Sequence, residues 1–277
     1  MRHLFVLAAL LCVGLYCGET NAFALGVNSL RCAAPASKRP VGPLMCAATA
    51  QDAQLRTVVV TDMDETLISR KSTGYIIAFL VRYRAFLRLA VSLPLAAFLI
   101  PISKVSRSLA VRIMYWLAFR GIRVDKAQAI AATFLSERYV RDLQDPAASA
   151  LLSADEAIVI TASPTFMAAP WLGRFFKVPA SNVRGAELES RNGRFTGRTA
   201  AIPIGETKAD ILRAFDLRGA RTVGYGDHPT DVPFLRACDR GVLVHEIDEM
   251  PDGIEMERAR RFEQMEKLAA QPEPAAS

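Results

Sequence analysis

An α/β fold, a Rossmann-like three-layer sandwich with an inserted α-helical cap after the first strand, is predicted by three observations. Strand-like segments recur at 58–61, 157–161 and 222–226, the first two apolar with β-branched residues, and each leads into polar residues. Amphipathic helical patterns separate them. A chain of 277 residues with 51% hydrophobic content is enough for one such domain with an inserted subdomain.

The first of these strands organises the rest. Val58-Val59-Val60-Thr61-Asp62-Met63-Asp64-Glu65-Thr66-Leu67 delivers two aspartates one residue apart. In a strand interior Asp62 and Asp64 would share a face, where like charges are costly without a cation between them. If the strand stops near Thr61, both sit on the loop beyond its carboxyl end, where an open α/β sheet holds its ligands. Either way the pattern asks for a metal.

The residues before that strand read as a targeting presequence covering 1–50. Arg2 and His3 precede an apolar run from Leu4 to Tyr16, and small residues surround Asn21-Ala22, so a signal peptide is expected over about 1–22. A transit region over about 23–50 follows, with Phe23, Arg31, Lys38, Arg39 and no acid between Asn21 and Gln51. The arrangement resembles the bipartite plastid-targeting presequence of algae whose plastids lie inside an endomembrane, which implies import into a plastid through the endomembrane system. A secretory signal with a flexible linker is the alternative. Cys12, Cys17, Cys32 and Cys46 fall in this segment, leaving Cys238 as a small core residue with no internal disulfide partner. Arg2, Arg31, Lys38 and Arg39 against Glu19 also account for half of the net charge of +6.

The core is expected over 51–68 and 151–250, with a basic and apolar helical cap over 69–150. Between Arg70 and Arg123 there are ten basic residues (Arg70, Lys71, Arg82, Arg84, Arg88, Lys104, Arg107, Arg112, Arg120, Arg123) and no acid. One helix is expected through Ile76, Phe79, Leu80 and Phe86, with Arg84 and Arg88 on a shared face, and another through Ile113 to Phe119. Leu89 to Ser103 is an uncharged run of 15 residues broken by Pro94 and Pro101. A spanning helix needs about 20, so a re-entrant or interfacial hairpin fits better. Apolar faces with only positive charge suit an anionic membrane surface, reached through the 70–123 insertion. The alternative is cap helices packed on one another, their arginines solvated. Asp125 then caps a helix through Ile130, Phe134 and Leu135 that Asp145-Pro146 ends, and Ala147 to Leu152 forms the next.

After Thr161-Ala162-Ser163-Pro164, a helix from Thr165 to Phe176 buries Phe166, Met167, Trp171 and Leu172. Val183 to Arg198 reads as a β-hairpin turning at Asn192-Gly193. Lys208 stands near the start of a helix. Thr222-Val223-Gly224-Tyr225-Gly226 is a strand leading to Asp227 and Asp231, and Gly241-Val242-Leu243-Val244 reads as the last strand. Residues 251–277 form a charged tail whose end, from Gln271, has a disordered composition. There is no internal repeat, no zinc-type Cys/His spacing and no glycine-rich P-loop.

In chain order, Asp-x-Asp-x-Thr, a strand-end Thr161, Lys208 and Gly-Asp-x-x-x-Asp resemble the four motifs of haloacid dehalogenase-like phosphohydrolases, over about residues 56–246. The Thr-Ala-Ser-Pro form of the second motif and the helical insertion resemble the subgroup containing phosphoserine phosphatases, phosphatidylglycerophosphatase C and the phosphatase domain of plant glycerol-3-phosphate acyltransferases. Glu65 stands where that pattern usually has glycine, and His228-Pro229-Thr230 lacks the asparagine that phosphoserine phosphatases place before the last aspartate.

The resemblance implies a phosphomonoesterase. Asp62 would attack phosphorus, forming an aspartyl-phosphate, and Asp64 would protonate the leaving oxygen and later activate water. Thr161 and Lys208 would bind the phosphoryl oxygens. Mg²⁺ suits hard oxygen donors, and Asp62, the Asp64 backbone carbonyl and Asp227 would hold it, with Asp231 in support. The substrate expected first is a phospholipid head group, phosphatidylglycerophosphate or another glycerolipid phosphate, at a plastid membrane, and no nucleic acid is called for. A small soluble ester such as phosphoserine is the alternative. A catalytically silent membrane-binding scaffold, the other class, is opposed by the complete set of motif residues.

Overall fold

The computed structural model describes residues 55–263. The expected presequence and the end of the charged tail therefore lie outside the described residues.

Six parallel strands form the central sheet: β1 (Arg56–Thr61), β3 (Glu156–Pro164), β4 (Val183–Ala186), β7 (Ala220–Gly226), β8 (Arg240–Leu243) and β9 (Ile254–Met256), in the order β4-β3-β1-β7-β8-β9. β1 lies between β3 and β7, with Thr61 opposite Val159 on one side and Tyr225 on the other. Its valines build both faces. Val58 and Val60 pack with Ile158, Ile160, Leu212 and Phe234 in one cluster, while Val59 joins Met63, Leu67, Trp171 and Leu172 in the other. Burial on both faces explains a run of consecutive valines rather than alternation. The first cluster is covered by α8 (Glu206–Arg213) and α9 (Val232–Leu235), the second in part by α7 (Thr165–Phe176).

Between β1 and β3 come α1 (Ser72–Tyr83), α2 (Phe86–Val105), α3 (Arg107–Phe119) and α4 (Val124–Ile130), a π-helical turn over Ala131–Leu135, and α5 (Ser136–Arg141). The return passes through β2 (Gln144–Asp145) and α6 (Ala147–Ser153). The chain leaves and re-enters the core at one neck, where Ser69 N–H donates to the Asp142 carbonyl at 2.8 Å and Gln144 N–H to the Leu67 carbonyl at 3.0 Å. An aromatic seam joins these helices to the core: Phe119 meets Phe166 of α7 edge-on at 5.4 Å, and Tyr139 stacks on Trp171 at 5.1 Å.

Five local expectations are corrected. Arg84 is left-handed (φ 64°) and caps α1, so Arg84 and Arg88 belong to different helices and share no face. Leu89 to Ser103 is no hairpin: α2 runs through Pro94 and Pro101, because a proline costs the helix one hydrogen bond but need not end it when the flanking turns stay intact. Among the described residues no helix is long and apolar enough to cross a membrane. Asp125 does not cap α4: Arg123 holds that position, and Asp125 pairs with its guanidinium from the first turn. Val183–Ala186 is an edge strand of the main sheet. The hairpin is β5 (Leu188–Arg191) with β6 (Arg194–Thr199), turning at Asn192 (φ 51°) and Gly193 (φ 69°). Nor does the sheet end at β8, since β9 adds beyond Pro251, and β10 (Arg260–Arg261) then pairs with β2.

Candidate active site

The strand order fixes where the functional side chains meet. β1, β3 and β7 run parallel side by side, so Asp62, Thr161 and Asp227 all emerge at one edge of the sheet. Asp62 continues the ladder by one step, its N–H donating to the Tyr225 carbonyl at 2.9 Å. Lys208, in the first turn of α8, reaches under that edge and is 3% exposed. Its ammonium lies 2.8 Å from Asp62 Oδ2 and 2.6 Å from Asp231 Oδ1.

Asp231 uses its second oxygen to accept the N–H groups of Asp227 and His228, each at 3.2 Å. It therefore shapes the loop that carries Asp227. Gly226 has its place here for a steric reason: a β-carbon on it would stand 2.7 Å from that of Asp231. Asp227 is oriented from the other side, where the Thr66 hydroxyl donates to its Oδ1 at 3.1 Å. Carboxylate oxygens of Asp62, Asp227 and Asp231 lie within 4.8 Å of one another.

The Asp64 carboxyl faces elsewhere. Its Oδ2 accepts the Ser72 N–H at 3.0 Å and its Oδ1 the Ser72 hydroxyl at 2.6 Å, and Ser163 Oγ donates from 3.3 Å. The Ser72 and Ser163 hydroxyls also touch. The three carboxylates that gather are thus 62, 227 and 231, and any metal role for Asp64 rests with its backbone carbonyl. Thr161 is fully buried, three residues short of the end of β3, which runs on through Ala162-Ser163-Pro164 where the sequence suggests a turn. Its hydroxyl accepts the Ser163 N–H at 3.1 Å, which leaves the hydroxyl proton to donate.

Burial dominates the electrostatics. It pushes Asp62 up to about 7, against the attraction of Lys208 and with repulsion from Asp231 and Asp64 adding to it. Burial likewise raises Asp64, partly offset by its bonds from Ser72 and Ser163. Asp227 stands well above the carboxylate range through burial and the nearby Asp62 and Asp231. For Lys208 burial works downward, but Asp62 and Asp231 outweigh it and hold the ammonium charged. One ammonium faces three clustered carboxylates, so hard anionic oxygen donors outnumber cations, as a Mg²⁺ site requires.

The residues missed from sequence are the ones that position the others. Ser72 has only a weak signal, a hydroxyl ahead of an apolar helical run. Ser163 lies inside the Thr-Ala-Ser-Pro motif but looked like turn chemistry. Tyr115 of α3 donates to the Ala162 carbonyl at 2.6 Å, a contact between insertion and motif that no local pattern announces.

A family model described as haloacid dehalogenase-like hydrolase matches residues 59–236. The glycerol-3-phosphate acyltransferase RAM2 of Petunia hybrida is 31% identical over 190 residues, which cover 66% of this chain and 39% of that protein. The chain thus spans about two fifths of the length of the relative it matches. Among solved structures, a protein of unknown function from Bordetella pertussis Tohama I superposes with a TM-score of 0.54 at 21% identity, covering 73% of this chain and 98% of its own. A phosphoserine phosphatase in its apo form gives a TM-score of 0.45 at 12% identity over 68% of this chain and 86% of its own.

Proposed function

This chain belongs to the haloacid dehalogenase-like hydrolase family, and from that premise we propose that it is a phosphoric monoester hydrolase working through an aspartyl-phosphate on a phosphorylated glycerolipid head group. The observation that carries the chemistry is the separation of its two motif carboxylates. Asp62 is held by Lys208 among acids, while Asp64, two residues on, is held apart by hydroxyls and an amide. Such neighbours can take different protonation states and different roles.

Asp62 attacks phosphorus as the bond to the leaving oxygen breaks, and Asp64 gives that oxygen its proton. Asp64, now a carboxylate, takes a proton from water, whose oxygen attacks the phosphoryl group and releases inorganic phosphate and Asp62. Lys208 offsets charge on Asp62 and the phosphoryl oxygens, and the Thr161 hydroxyl donates to one of them. Asp62, Asp227 and the Asp64 carbonyl would hold Mg²⁺, with Asp231 fixing the loop. When bound, the ion would neutralise phosphoryl charge as a Lewis acid.

The acid-free basic insertion supports a lipid substrate, phosphatidylglycerophosphate first, and the amino-terminal pattern supports work at a plastid membrane. One observation favours a small soluble ester instead: Asp62 is only 8% exposed beneath the insertion, a closed setting that suits a compact substrate. Mg²⁺-dependent phosphate release from phosphatidylglycerophosphate in mixed micelles, beside lysophosphatidate and phosphoserine, separates the two. Preference for a lipid supports the first reading, and preference for phosphoserine the second. Asp62→Asn is expected to lower turnover by at least about 10³-fold on any of them. Undiminished release by that variant would remove Asp62 as nucleophile.

A further inference from the structure

We propose that the outward side of α2, with the corner where it meets α3, is the surface by which this chain docks on an anionic membrane, turning the mouth of the catalytic centre toward the lipid. Of the twelve large hydrophobic residues exposed among the described ones, eight lie between Val81 and Trp116. They are not scattered. Leu87 (82% exposed), Val91 (47%) and Leu95 (37%) follow one another at four-residue spacing. Val105 (90%) lies eighteen residues, five helical turns, after Leu87 and so on the same side. Phe86 and Leu109 extend the patch at its ends, at 59% and 49% exposure. A helix that meets only water carries polar residues on that side. This one carries Leu, Val and Pro.

Charge selects the occupant. Exposed Arg82 and Arg84 flank one end of the stripe and exposed Lys104 and Arg107 the other, and the sequence holds no acid between Glu65 and Asp125. A second copy of the chain, set symmetrically against this face, would oppose arginine to arginine. An anionic lipid surface satisfies both the apolar stripe and its basic ends. With its exposed apolar residues spread from Leu87 to Val105, the docked α2 lies along the surface, about 30 Å of helix in the interfacial plane.

The patch reaches the active site. Arg107, at the α2–α3 corner between Val105 and Leu109, places its Nη1 3.4 Å from Nδ1 of His228, the residue after Asp227. Docking through α2 therefore brings the loop of the fourth motif to the lipid. The use of that orientation rests on the lipid-phosphate reading above, but the docking itself does not.

Co-sedimentation of the full chain with phosphatidylcholine vesicles, with and without phosphatidylglycerol, tests the surface without catalysis. The parent should sediment with the anionic vesicles only, less as salt rises. Leu87→Glu/Val91→Glu should weaken that partition at least about tenfold, and Arg82→Gln/Arg84→Gln should weaken it in part. Both variants should turn over p-nitrophenyl phosphate within about twofold of the parent, which shows them folded. Equal binding by parent and Leu87→Glu/Val91→Glu, equal binding to neutral vesicles, or a parent that stays in solution overturns the proposal. So does a parent dimer that the glutamates split, since the stripe is then an interface between copies. A parent that docks as stated yet prefers phosphoserine leaves the surface standing and removes only the lipid substrate.

Discussion

Glu65 follows the two motif aspartates in a left-handed backbone conformation (φ 56°), where a β-carbon costs on the order of 1 kcal/mol. Its carbonyl is gripped from two sides, by Gln144 Nε2 at 2.5 Å and a His245 ring nitrogen at 3.0 Å, so the surroundings hold the residue where it would not go alone. The related pattern has glycine here for a reason that this angle makes physical. Glu65→Gly should therefore leave the protein unchanged or up to about 1 kcal/mol more stable in urea unfolding, since the partly exposed ion pair with Lys71 that it removes is worth little. A clear loss of stability would show that the ion pair outweighs the strain. At this scale the acids and Lys208 were legible in the sequence because charged groups beside buried strands need a reason to be there. Ser72 and Tyr115 were not, because their meaning depends on how a distant insertion folds back.

Among the elements, the strands were legible where both faces are buried, since Val58–Val60 of β1 and Ala157–Ile160 of β3 read as unbroken apolar runs. The failures came where a local signal claimed too much. Asn192-Gly193 is a true hairpin turn, but its pattern absorbed Val183–Ala186, which pairs with β3 instead. Two prolines suggested a break in α2 that packing on α3 does not require. One element junction carries a pH prediction. The Asp239 carboxylate, ahead of β8, accepts the Thr222 N–H at 2.7 Å and its hydroxyl at 2.8 Å, and these bonds hold it below the usual carboxylate range. A depressed folded value stabilises the protein above the unfolded pKa, near 4, and this contribution fades as pH falls through the folded one. Asp239→Ala should thus lower Tm at pH 7, and the gap to the parent should narrow in acid. A gap that widens toward pH 3 would contradict it.

Across the whole molecule, clustering Asp62, Asp227 and Asp231 at one sheet edge stores repulsion that a divalent cation relieves only in the folded chain. Millimolar Mg²⁺ should raise Tm by roughly 5 °C if it reaches about a hundred times its Kd, and a chelator should reverse the gain. Asp227→Asn should lose most of that shift, and an equal shift in the variant would put the ion elsewhere. The three-layer plan was legible in the sequence, but the way the insertion engages the core was not. Its consequence lies at Ser72, the first residue of α1, which holds the Asp64 carboxyl through both its amide and its hydroxyl. Any displacement of α1 away from the sheet takes those partners with it, so, on the mechanism proposed above, a molecule standing ajar has Asp62 ready as nucleophile and Asp64 unsupported as proton donor. A compound that enters but does not let the insertion settle would meet an unarmed catalyst, and discrimination between substrates becomes a matter of closure as well as fit.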